Sequence, residues 1–358
     1  MNTINVFVTG VGGGGHGEQI LKALKMAKTN YCIIGGDISP YSKGLFEVHH
    51  GYILPPATDP DYIASILKIC KRHDVSALFH GSEPELKVMS ANRDILEAHG
   101  LFLPINPDHV IETCMDKIKV SDFLRRKGFH FVNFRKIVSL QGLEDFDVFP
   151  AVLKPSVGSG GSADTFLAQN KEELLCFGRY LFSIYPEFII QEYVGNPDCE
   201  YTVGVLISMD GQLLNSIAVK RYILSSLSNR LKVENRTQNK KLGNTLAVSS
   251  GISQGEIGPF PEVTKQCEEV ALALGARGPL NIQCRLVDER VHIFEINPRF
   301  SGTTSLRAMV GFNEPDVLIR KHVLNEKIEP HFKYGSGVIL RGLSEIMLDP
   351  KSLPGRPA

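Results

Sequence analysis

The strongest constraint on the fold is a change of pattern near residue 113. Before it, short apolar β-rich segments alternate with segments whose apolar residues recur about every 3.6 positions. The strands are INVFVTG, YCIIGGD and VSALFHG, and the helices are GEQILKALKMAK and PDYIASILKICKRHD. This alternation predicts a parallel sheet with right-handed crossovers, as in a Rossmann-like domain. The connection ISPYSKGLFEVHHGYILPPATDP is predicted as a loop with a short strand at GYILP.

After residue 113 the predicted strands follow one another through tight turns, which indicates antiparallel sheet. They are AVLKP, FIIQEYV, EYTVGVLISMD, LLNSIAVKRYI, GPLNIQCRLV and VHIFEINPRF. Helices are predicted at DKIKVSDFLRRKG, ended by Gly128, and at PEVTKQCEEVALALG. The segment SLSNRLKVENRTQNKKLGN is polar and basic without periodicity, and it is predicted as a mobile loop.

Composition excludes several classes of protein. The 358 residues suffice for two or three domains, and equal totals of 39 basic and 39 acidic residues give no excess for nucleic acid or an anionic membrane. No apolar run approaches the roughly 18 residues that span a bilayer, and the N-terminus lacks a signal-peptide pattern. The seven cysteines are scattered without C-x-x-C, which indicates reduced thiols. A cytoplasmic protein is therefore expected.

The first glycine-rich stretch, VFVTGVGGGGHG, joins the first strand to the first helix. Such a turn suits a dinucleotide phosphate, and Asp37 ends the second strand where a ribose-binding acid would sit. The glycines match G-x-G-x-x-G under several alignments, so the match is weak. The turn is equally compatible with the close-packed first turn of any doubly wound sheet.

A second glycine stretch, PAVLKPSVGSGGSADTF, begins with a strand that delivers Lys154. The flexible loop of residues 158–161 follows at once, and its backbone amides and the lysine suit nucleotide phosphates. The stretch is not a Walker motif, because G-K-[ST] is absent. A plain hairpin turn is the alternative.

The segment VHIFEINPRFSG carries the most informative pattern. Strict strand alternation would place Val291 and Ile293 on the same face as Glu295, Asn297 and Arg299. A three-residue hairpin loop at 288–290 would set Gln283 opposite Glu295. Oxygens of Gln, Glu and Asn suit Mg²⁺, and Arg299 would reach a transferred phosphoryl group. The alternative is a buried polar network in a sheet.

The order of these motifs resembles the ATP-grasp superfamily, in particular its carbamoyl-phosphate-synthetase-like branch. The stretches are DKIKVSDFLRRKG, VLKPSVGSGGS, IIQEYVGNPDCEYTVGV and NIQCRLVDERVHIFEINPRFSG, within about residues 113–325. Carbamoyl-phosphate synthetase is a tandem of two such units, whereas this chain has one, and its segment 225–243 differs from that enzyme. The resemblance therefore favours a single-unit, single-reaction ligase.

The resemblance implies that ATP and Mg²⁺, with Mn²⁺ as an alternative metal, bind between two α+β lobes. The implied nucleotide-binding residues are Lys117 and Lys154 at the phosphates, Ser159, Gly160 and Gly161 in the phosphate loop, Gln191, Glu192, Tyr193 and Val194 at the adenine, and Glu200 at the ribose. The implied metal ligands are Gln283, Glu295 and Asn297, the catalytic arginine is Arg299, and Ser301 and Gly302 adjoin the substrate. In this family the glycine loop of the first domain helps to shape the acceptor or carboxylate site.

The resulting layout is a Rossmann-like pre-ATP-grasp domain over 1–112, a small lobe over 113–190, a large lobe over 191–325 and an extension over 326–358. The function implied is an ATP-dependent carboxylate–amine ligase acting on small molecules, with no nucleic acid or membrane partner and with a homodimer allowed. Alternatives are carbamoyl-phosphate-synthetase-like phosphorylation of bicarbonate or carbamate, an NAD-dependent oxidoreductase, and a non-enzymatic nucleotide-binding regulator. Four cations are candidates for a substrate carboxylate, with surface solvation as the competing interpretation: Lys220, Arg221, Arg230 and Arg307.

Overall fold

The structure is a computed structural model that describes residues 3–156, 164–225, 227–349 and 352. Its N-terminal part is a parallel sheet with the strand order β3-β2-β1-β4. The strands are β1 (Ile4–Thr9), β2 (Tyr31–Asp37), β3 (His50–Ile53) and β4 (Ala77–Phe79). The helices are α1 (His16–Lys25), α2 (Tyr62–Arg72), α3 (Glu83–Ala91), α4 (Arg93–Ala98) and α5 (Asp108–Cys114). The predicted alternation of strands and helices is confirmed.

The middle part is an antiparallel sheet with the order β5-β8-β6-β7. Its strands are β5 (Phe134–Ile137), β6 (Ala151–Lys154), β7 (Phe166–Ala168) and β8 (Phe188–Glu192). The helices are α6 (Lys117–Lys127), α7 (Leu140–Glu144) and α8 (Lys171–Phe182). Helix α6 ends where predicted, because Gly128 takes the left-handed conformation with a φ of 76°.

The C-terminal part contains a larger sheet and a separate hairpin. The strands in chain order are β9 (Glu200–Ile207), β10 (Leu213–Arg221), β11 (Asn229–Glu234), β12 (Thr245–Ser249), β13 (Gly255–Gly258), β14 (Gly278–Val287), β15 (Arg290–Asn297) and β16 (Gly337–Ile339). The larger sheet has the order β15-β14-β9-β10-β13-β16, and all its pairings are antiparallel. The helices are α9 (Pro261–Leu274), α10 (Thr304–Met309) and α11 (Glu314–His322).

Part of the segment predicted as a mobile loop instead forms β11, which pairs with β12 directly after that segment. The prediction was wrong because the alternation in NRLKVE holds only two apolar residues, Leu231 and Val233. Leu231 packs against the buried side chains Leu167, Leu242 and Leu246, whereas Val233 is exposed. Tertiary contacts therefore decide this strand, rather than its own pattern.

The glycine-rich turn between β1 and α1 is close-packed. A side chain at Gly17 would place its Cβ 2.3 Å from the carbonyl oxygen of Gly10, and one at Gly12 would meet Ser42. Asp37 braces the turn, because its carboxylate accepts from the amides of Gly12 at 2.9 Å and Ser39 at 3.0 Å. Both oxygens of the predicted ribose acid are thus engaged by backbone.

One hydrophobic cluster joins the N-terminal sheet to the C-terminal part. It includes Val8 of β1 and Leu21 of α1 together with Ile217 of β10 and Leu318 of α11. Because a shared core of this kind fixes neighbouring elements, the carboxyl ends of β1 and β4 have a defined position against the larger sheet. None of the helices in the described ranges has the length and apolar character that crossing a membrane requires.

The packing at Gly17 gives a stability prediction. Gly17→Ala should lower the free energy of unfolding by at least about 2 kcal/mol, because the new methyl group meets backbone carbonyls that cannot rotate away. Urea denaturation measures this change. Gly142→Ala is the matched control: its Cβ would lie 3.6 Å from the Ser139 hydroxyl, so helix α7 should gain up to about 1 kcal/mol. Equal stability of the two variants would contradict the close packing.

Candidate active site

A β-bulge in β15 sets the geometry of the site. The hairpin turn has two residues, Asp288 and Glu289, both with positive φ, so Val287 pairs with Arg290. The predicted three-residue loop is therefore wrong. Gln283 nevertheless pairs with Glu295 as predicted, because the register shifts by one residue between Gln283 and Cys284. The extra residue on β15 is Phe294.

The bulge also corrects the predicted faces of β15. Val291, Ile293 and Ile296 are all in the core that covers helix α9. Glu295 and Asn297 face the opposite way and line clefts, so Val291 and Ile293 do not share their face as strict alternation predicted. The inserted residue inverts the alternation between Ile293 and Glu295.

A first cleft of about 670 Å³ lies between the middle sheet and the larger sheet. It brings together every described residue that the resemblance assigns to the nucleotide. Those residues are Lys117, Lys154, Gln191, Glu192, Tyr193, Val194 and Glu200. Gln283 and Glu295 close its inner end. Ser159, Gly160 and Gly161 lie outside the described residues.

The hinge after β8 has a restricted set of free backbone donors. The amide of Glu192 donates to Asn133 at 2.9 Å, and the amide of Tyr193 donates to Pro150 at 3.1 Å. No described residue accepts from the amide of Val194. Of the three amides in the predicted adenine hinge, that of Val194 is therefore the one left for an adenine edge.

Glu200 lies between two arginines at the base of the first cleft. Its carboxylate accepts from Arg221 at 3.0 Å and from Arg285 at 3.0 and 3.2 Å, and its exposed fraction is 2%. Arg285 also lies over the ring of Tyr193 at 4.3 Å and donates to the Val194 carbonyl. A carboxylate offers about four acceptor positions, so about one remains for a ribose hydroxyl.

Two lysines make the inner end of the first cleft positive. Burial lowers the pKa of Lys154 to about 8, with a further contribution from Lys117. Burial alone raises the pKa of the Glu295 carboxyl, but Lys117 and Lys154 outweigh it and hold that pKa below its usual value. Glu295 is therefore an ionised carboxylate at neutral pH.

Gln283, Glu295 and Asn297 bring three side chains with oxygen donors together at the end of β15 and the facing part of β14. The Nδ2 of Asn297 donates to Glu295 at 3.1 Å, and its Oδ1 accepts from Arg299 at 3.1 Å, so the side chain of Asn297 is held between them. Among the described residues, no cluster of three or more His, Cys, Asp and Glu side chains is suited to a metal. One carboxylate with two carboxamides fits a cation that takes its other ligands from phosphate and water, as Mg²⁺ does.

A second cleft of about 1420 Å³ opens at the carboxyl ends of β1 and β4. In the order β3-β2-β1-β4 this is the point where the strand order reverses, the usual ligand position in a parallel sheet. The turn residues Gly13–Gly15 and Glu83 line it from the N-terminal side. From the larger sheet it is lined by the predicted residues Gln283, Glu295, Asn297, Arg299, Ser301 and Gly302.

The guanidinium of Arg299 is held on several sides. Its Nη2 donates to Glu83 at 2.9 Å and to Asn297 at 3.1 Å, and its Nη1 donates to the Phe300 carbonyl at 3.0 Å. The Nε is buried and has no partner among the described residues. Arg299 thus lies beside the predicted metal ligands, as the sequence indicated.

Two buried histidines stand behind the glycine turn. The Nε2 of His16 lies 3.1 Å from the Nδ1 of His80. Burial, with the nearby charge of Arg299, lowers the pKa of His16 well below its usual value and that of His80 to about 3. Both rings are therefore neutral, and they add no charge to the second cleft.

Two of the four candidate cations are buried, which contradicts the surface interpretation for them. Arg221 has an exposed fraction of 2% and Arg307 of 0%. Arg307 donates to Glu314 at 2.9 Å and to Asn281 at 2.7 Å beneath the second cleft. Arg221 lines that cleft as well as binding Glu200, whereas Lys220 and Arg230 line neither cleft.

Sequence reasoning missed several residues of both clefts. Phe294 and Arg285 line the first cleft, and so do Ala247, Val248 and Ser249 of β12. The TLAVS pattern of β12 was a usable signal for a strand. No local pattern marks Glu83, because its contact with Arg299 joins residues 216 positions apart.

Comparison with known proteins agrees with this geometry. Residues 9–103 match the family model of the PylC-like N-terminal domain, and residues 247–340 match the model "ATP-grasp in the biosynthetic pathway with Ter operon". No curated protein matches the chain.

Solved structures share the fold at low sequence identity. N5-carboxyaminoimidazole synthetase from Staphylococcus aureus, complexed with ADP, is 13% identical with a TM-score of 0.62, over 94% of this chain and 79% of that chain. The L-amino acid ligase from Bacillus licheniformis is 15% identical with a TM-score of 0.60, over 92% and 78%. The biotin carboxylase domain of Hydrogenobacter thermophilus 2-oxoglutarate carboxylase, with MgADP and bicarbonate, is 14% identical with a TM-score of 0.58, over 88% and 68%.

The chain therefore has the ATP-grasp fold, preceded by a PylC-like N-terminal domain. The resemblance to the ATP-grasp superfamily is confirmed, and so is the predicted fold class. The carbamoyl-phosphate-synthetase-like branch, the domain limits and the homodimer stay predictions.

The lowered pKa of Lys154 gives a pH prediction. Phosphates favour the charged ammonium, whose pKa of about 8 means that it loses its proton as the pH rises from 7 to 9. The affinity for ADP with excess Mg²⁺ should fall over that interval, and binding near pH 8 should take up protons. Isothermal titration in buffers of different ionisation enthalpy measures both effects.

The controls for this prediction are two substitutions of the same residue. Lys154→Arg should keep affinity and lose the pH dependence, because arginine stays charged. Lys154→Met should bind weakly at every pH. A wild-type affinity that is constant from pH 7 to 9 would show that Lys154 does not contact the phosphates.

Proposed function

We propose that the protein is an ATP- and Mg²⁺-dependent ligase that phosphorylates a small-molecule carboxylate and couples it to an amine, releasing ADP and phosphate. The observation that supports this is the meeting of the two clefts. Gln283 and Glu295 line both of them. A nucleotide in the first cleft would therefore present its terminal phosphate to a substrate in the second.

The described residues suit the steps of such a reaction. Lys117 and Lys154 provide positive charge at the inner end of the nucleotide cleft. Gln283, Glu295 and Asn297 would hold Mg²⁺, which when bound neutralises charge on the phosphate oxygens. Arg299, on the acceptor side, would bind the phosphoryl group as it moves to the substrate carboxylate.

The acceptor would occupy the second cleft, between the glycine turn and the segment after Arg299. That cleft is walled largely by polar groups, including Thr202, Asn281 and Ser301. A small polar carboxylate and an amine suit such walls better than a large apolar substrate does. Ser301 and Gly302 adjoin Arg299 in the cleft and are proposed as substrate contacts.

The competing oxidoreductase function is disfavoured at the glycine turn. Asp37 would have to bind a ribose there, but each of its two oxygens already accepts from a backbone amide of the turn, that of Gly12 or that of Ser39. The turn is also filled by the packing of Gly17 against Gly10. The hydrogen bonds of Asp37 and the close packing of Gly17 thus serve the turn itself, which accounts for both features without a dinucleotide.

The experiment that tests the function is an ADP-release screen against crossed pools of carboxylic acids and amines, with hydroxylamine to trap acyl phosphates as hydroxamates. ADP release that needs a carboxylate, together with a hydroxamate, would support the ligase. Binding is checked in parallel: ATP or ADP with Mg²⁺ should raise the thermal midpoint, and NAD should not. Stabilisation by NAD alone would overturn the proposal.

Glu295 gives a sharper test of the same site. Glu295→Gln should reduce ADP release by on the order of a hundredfold, because it removes the carboxylate from the metal-binding set. Nucleotide binding, read from the thermal midpoint with ADP, should be partly kept.

The matched control is Glu289→Gln, which makes the same change of charge at the exposed turn of the same hairpin. Its turnover should equal that of the wild type. If Glu295→Gln also turned over at the wild-type rate, the metal site would lie elsewhere.

A further inference from the structure

Glu83 is the residue through which the N-terminal part of the chain touches Arg299. It is the first residue of helix α3, directly after the cap residue Ser82. Its carboxylate accepts from the Nη2 of Arg299 at 2.9 Å, and it lines the second cleft. The side chains of Glu83 and Arg299 keep exposed fractions of 29% and 16%, so the pair lies at the wall of the cleft.

The turn that carries Glu83 is firmly held. Glu85 accepts from the amide of Gly81 at 2.9 Å and from the hydroxyl of Tyr62 at 3.1 Å, and only 5% of Glu85 is exposed. Gly81 packs so closely that a Cβ there would lie 2.1 Å from the carbonyl oxygen of Thr9. Glu83 therefore projects from a fixed support.

Without Glu83, the described hydrogen bonds of the Arg299 side chain would come from its own segment alone. Asn297 and the Phe300 carbonyl are two and one residues away in the chain. Residues so near to Arg299 in the sequence move together with it, so their contacts alone do not fix its direction. A contact from another part of the fold is what fixes the direction of the guanidinium relative to Gln283 and Glu295.

We propose that Glu83 is a positioning residue that holds Arg299 in the orientation needed to bind the transferred phosphate. The inference rests on the proposed function, because it takes Arg299 as the group that meets that phosphate. Three of the five donors of the guanidinium are used by Glu83, Asn297 and Phe300, and the Nε is left without a described partner. Arg299 then loses its side-chain rotamer freedom when the protein folds, so phosphate binding does not have to order the side chain again.

The direction in which phosphate affinity changes when the Glu83 carboxylate is removed separates a positioning role from a purely electrostatic one. A carboxylate beside Arg299 lowers the local positive potential, so removing it would strengthen phosphate binding if charge alone mattered. If Glu83 positions Arg299, removing it weakens phosphate binding. The two explanations therefore predict opposite changes.

The test measures the affinity of inorganic phosphate, in the presence of saturating ADP and Mg²⁺, by isothermal titration. Glu83→Ala should weaken phosphate binding by about tenfold, and Glu83→Gln, which keeps an acceptor oxygen, by about threefold or less. The affinity for ADP itself should be unchanged in both, which also shows that the variants fold.

A double-mutant cycle adds the link to Arg299. Arg299→Lys should weaken phosphate binding by itself, and adding Glu83→Ala should cost no more than about a further twofold, because the residues act as one unit. The matched control is Glu97→Ala, which removes an ion pair with Arg93 in the same part of the chain and lines neither cleft. It should leave phosphate affinity unchanged.

Phosphate affinity in Glu83→Ala that equals or exceeds that of the wild type overturns the inference, and so does a wild type that binds no phosphate beside ADP. The inference is also overturned if the losses of phosphate affinity caused by Glu83→Ala and Arg299→Lys add up in the double variant. If the substrate screen fails while the phosphate affinities of the wild type and the variants change as expected, that outcome counts against the ligase reaction alone. The two failures are thus distinguishable.

Discussion

The β-bulge at Phe294 in β15 determines which side chains of this strand face the clefts. Without the bulge at Phe294, strict alternation would put Glu295 on the side of Ile293, inside the core against helix α9. With it, Ile296 stays in the core while Glu295 and Asn297 face the clefts. The strand thus supplies apolar packing to the core along its length and, at its carboxyl end, polar side chains that line the clefts.

The charged groups around the clefts are arranged in pairs that join different parts of the chain. Glu200 joins Arg221, which lines the second cleft, to Arg285, which lines the first. Glu83 and Arg299 join the N-terminal sheet to the end of β15. The buried group around Glu200 contributes little net stability but is costly to break, so it fixes the relative positions of the walls.

The sequence was sufficient for most of the elements and for the grouping of most candidate site residues around the two clefts, because both depend on local patterns. The spacing of Gln283, Glu295 and Asn297 on two adjacent strands could be read directly, and so could the lysine that ends β6. The bulge at Phe294 could not be read, because an inserted residue leaves no mark in a run of apolar and polar letters. Glu83 was missed for a different reason: its role depends on a contact across 216 residues, and no periodicity reports such contacts.

The two clefts have in common only Gln283 and Glu295 among the residues that the structure describes. The rest of the second cleft is lined partly by strand residues such as Thr202 and Asn281, and partly by connections between elements, namely the glycine turn, the turn before α3 and residues 250–253. Substitutions in those connections would leave the lining of the first cleft unchanged. A chain of this design can therefore change the walls of one cleft by small steps while the residues of the other cleft, and the two residues that both share, stay as they are.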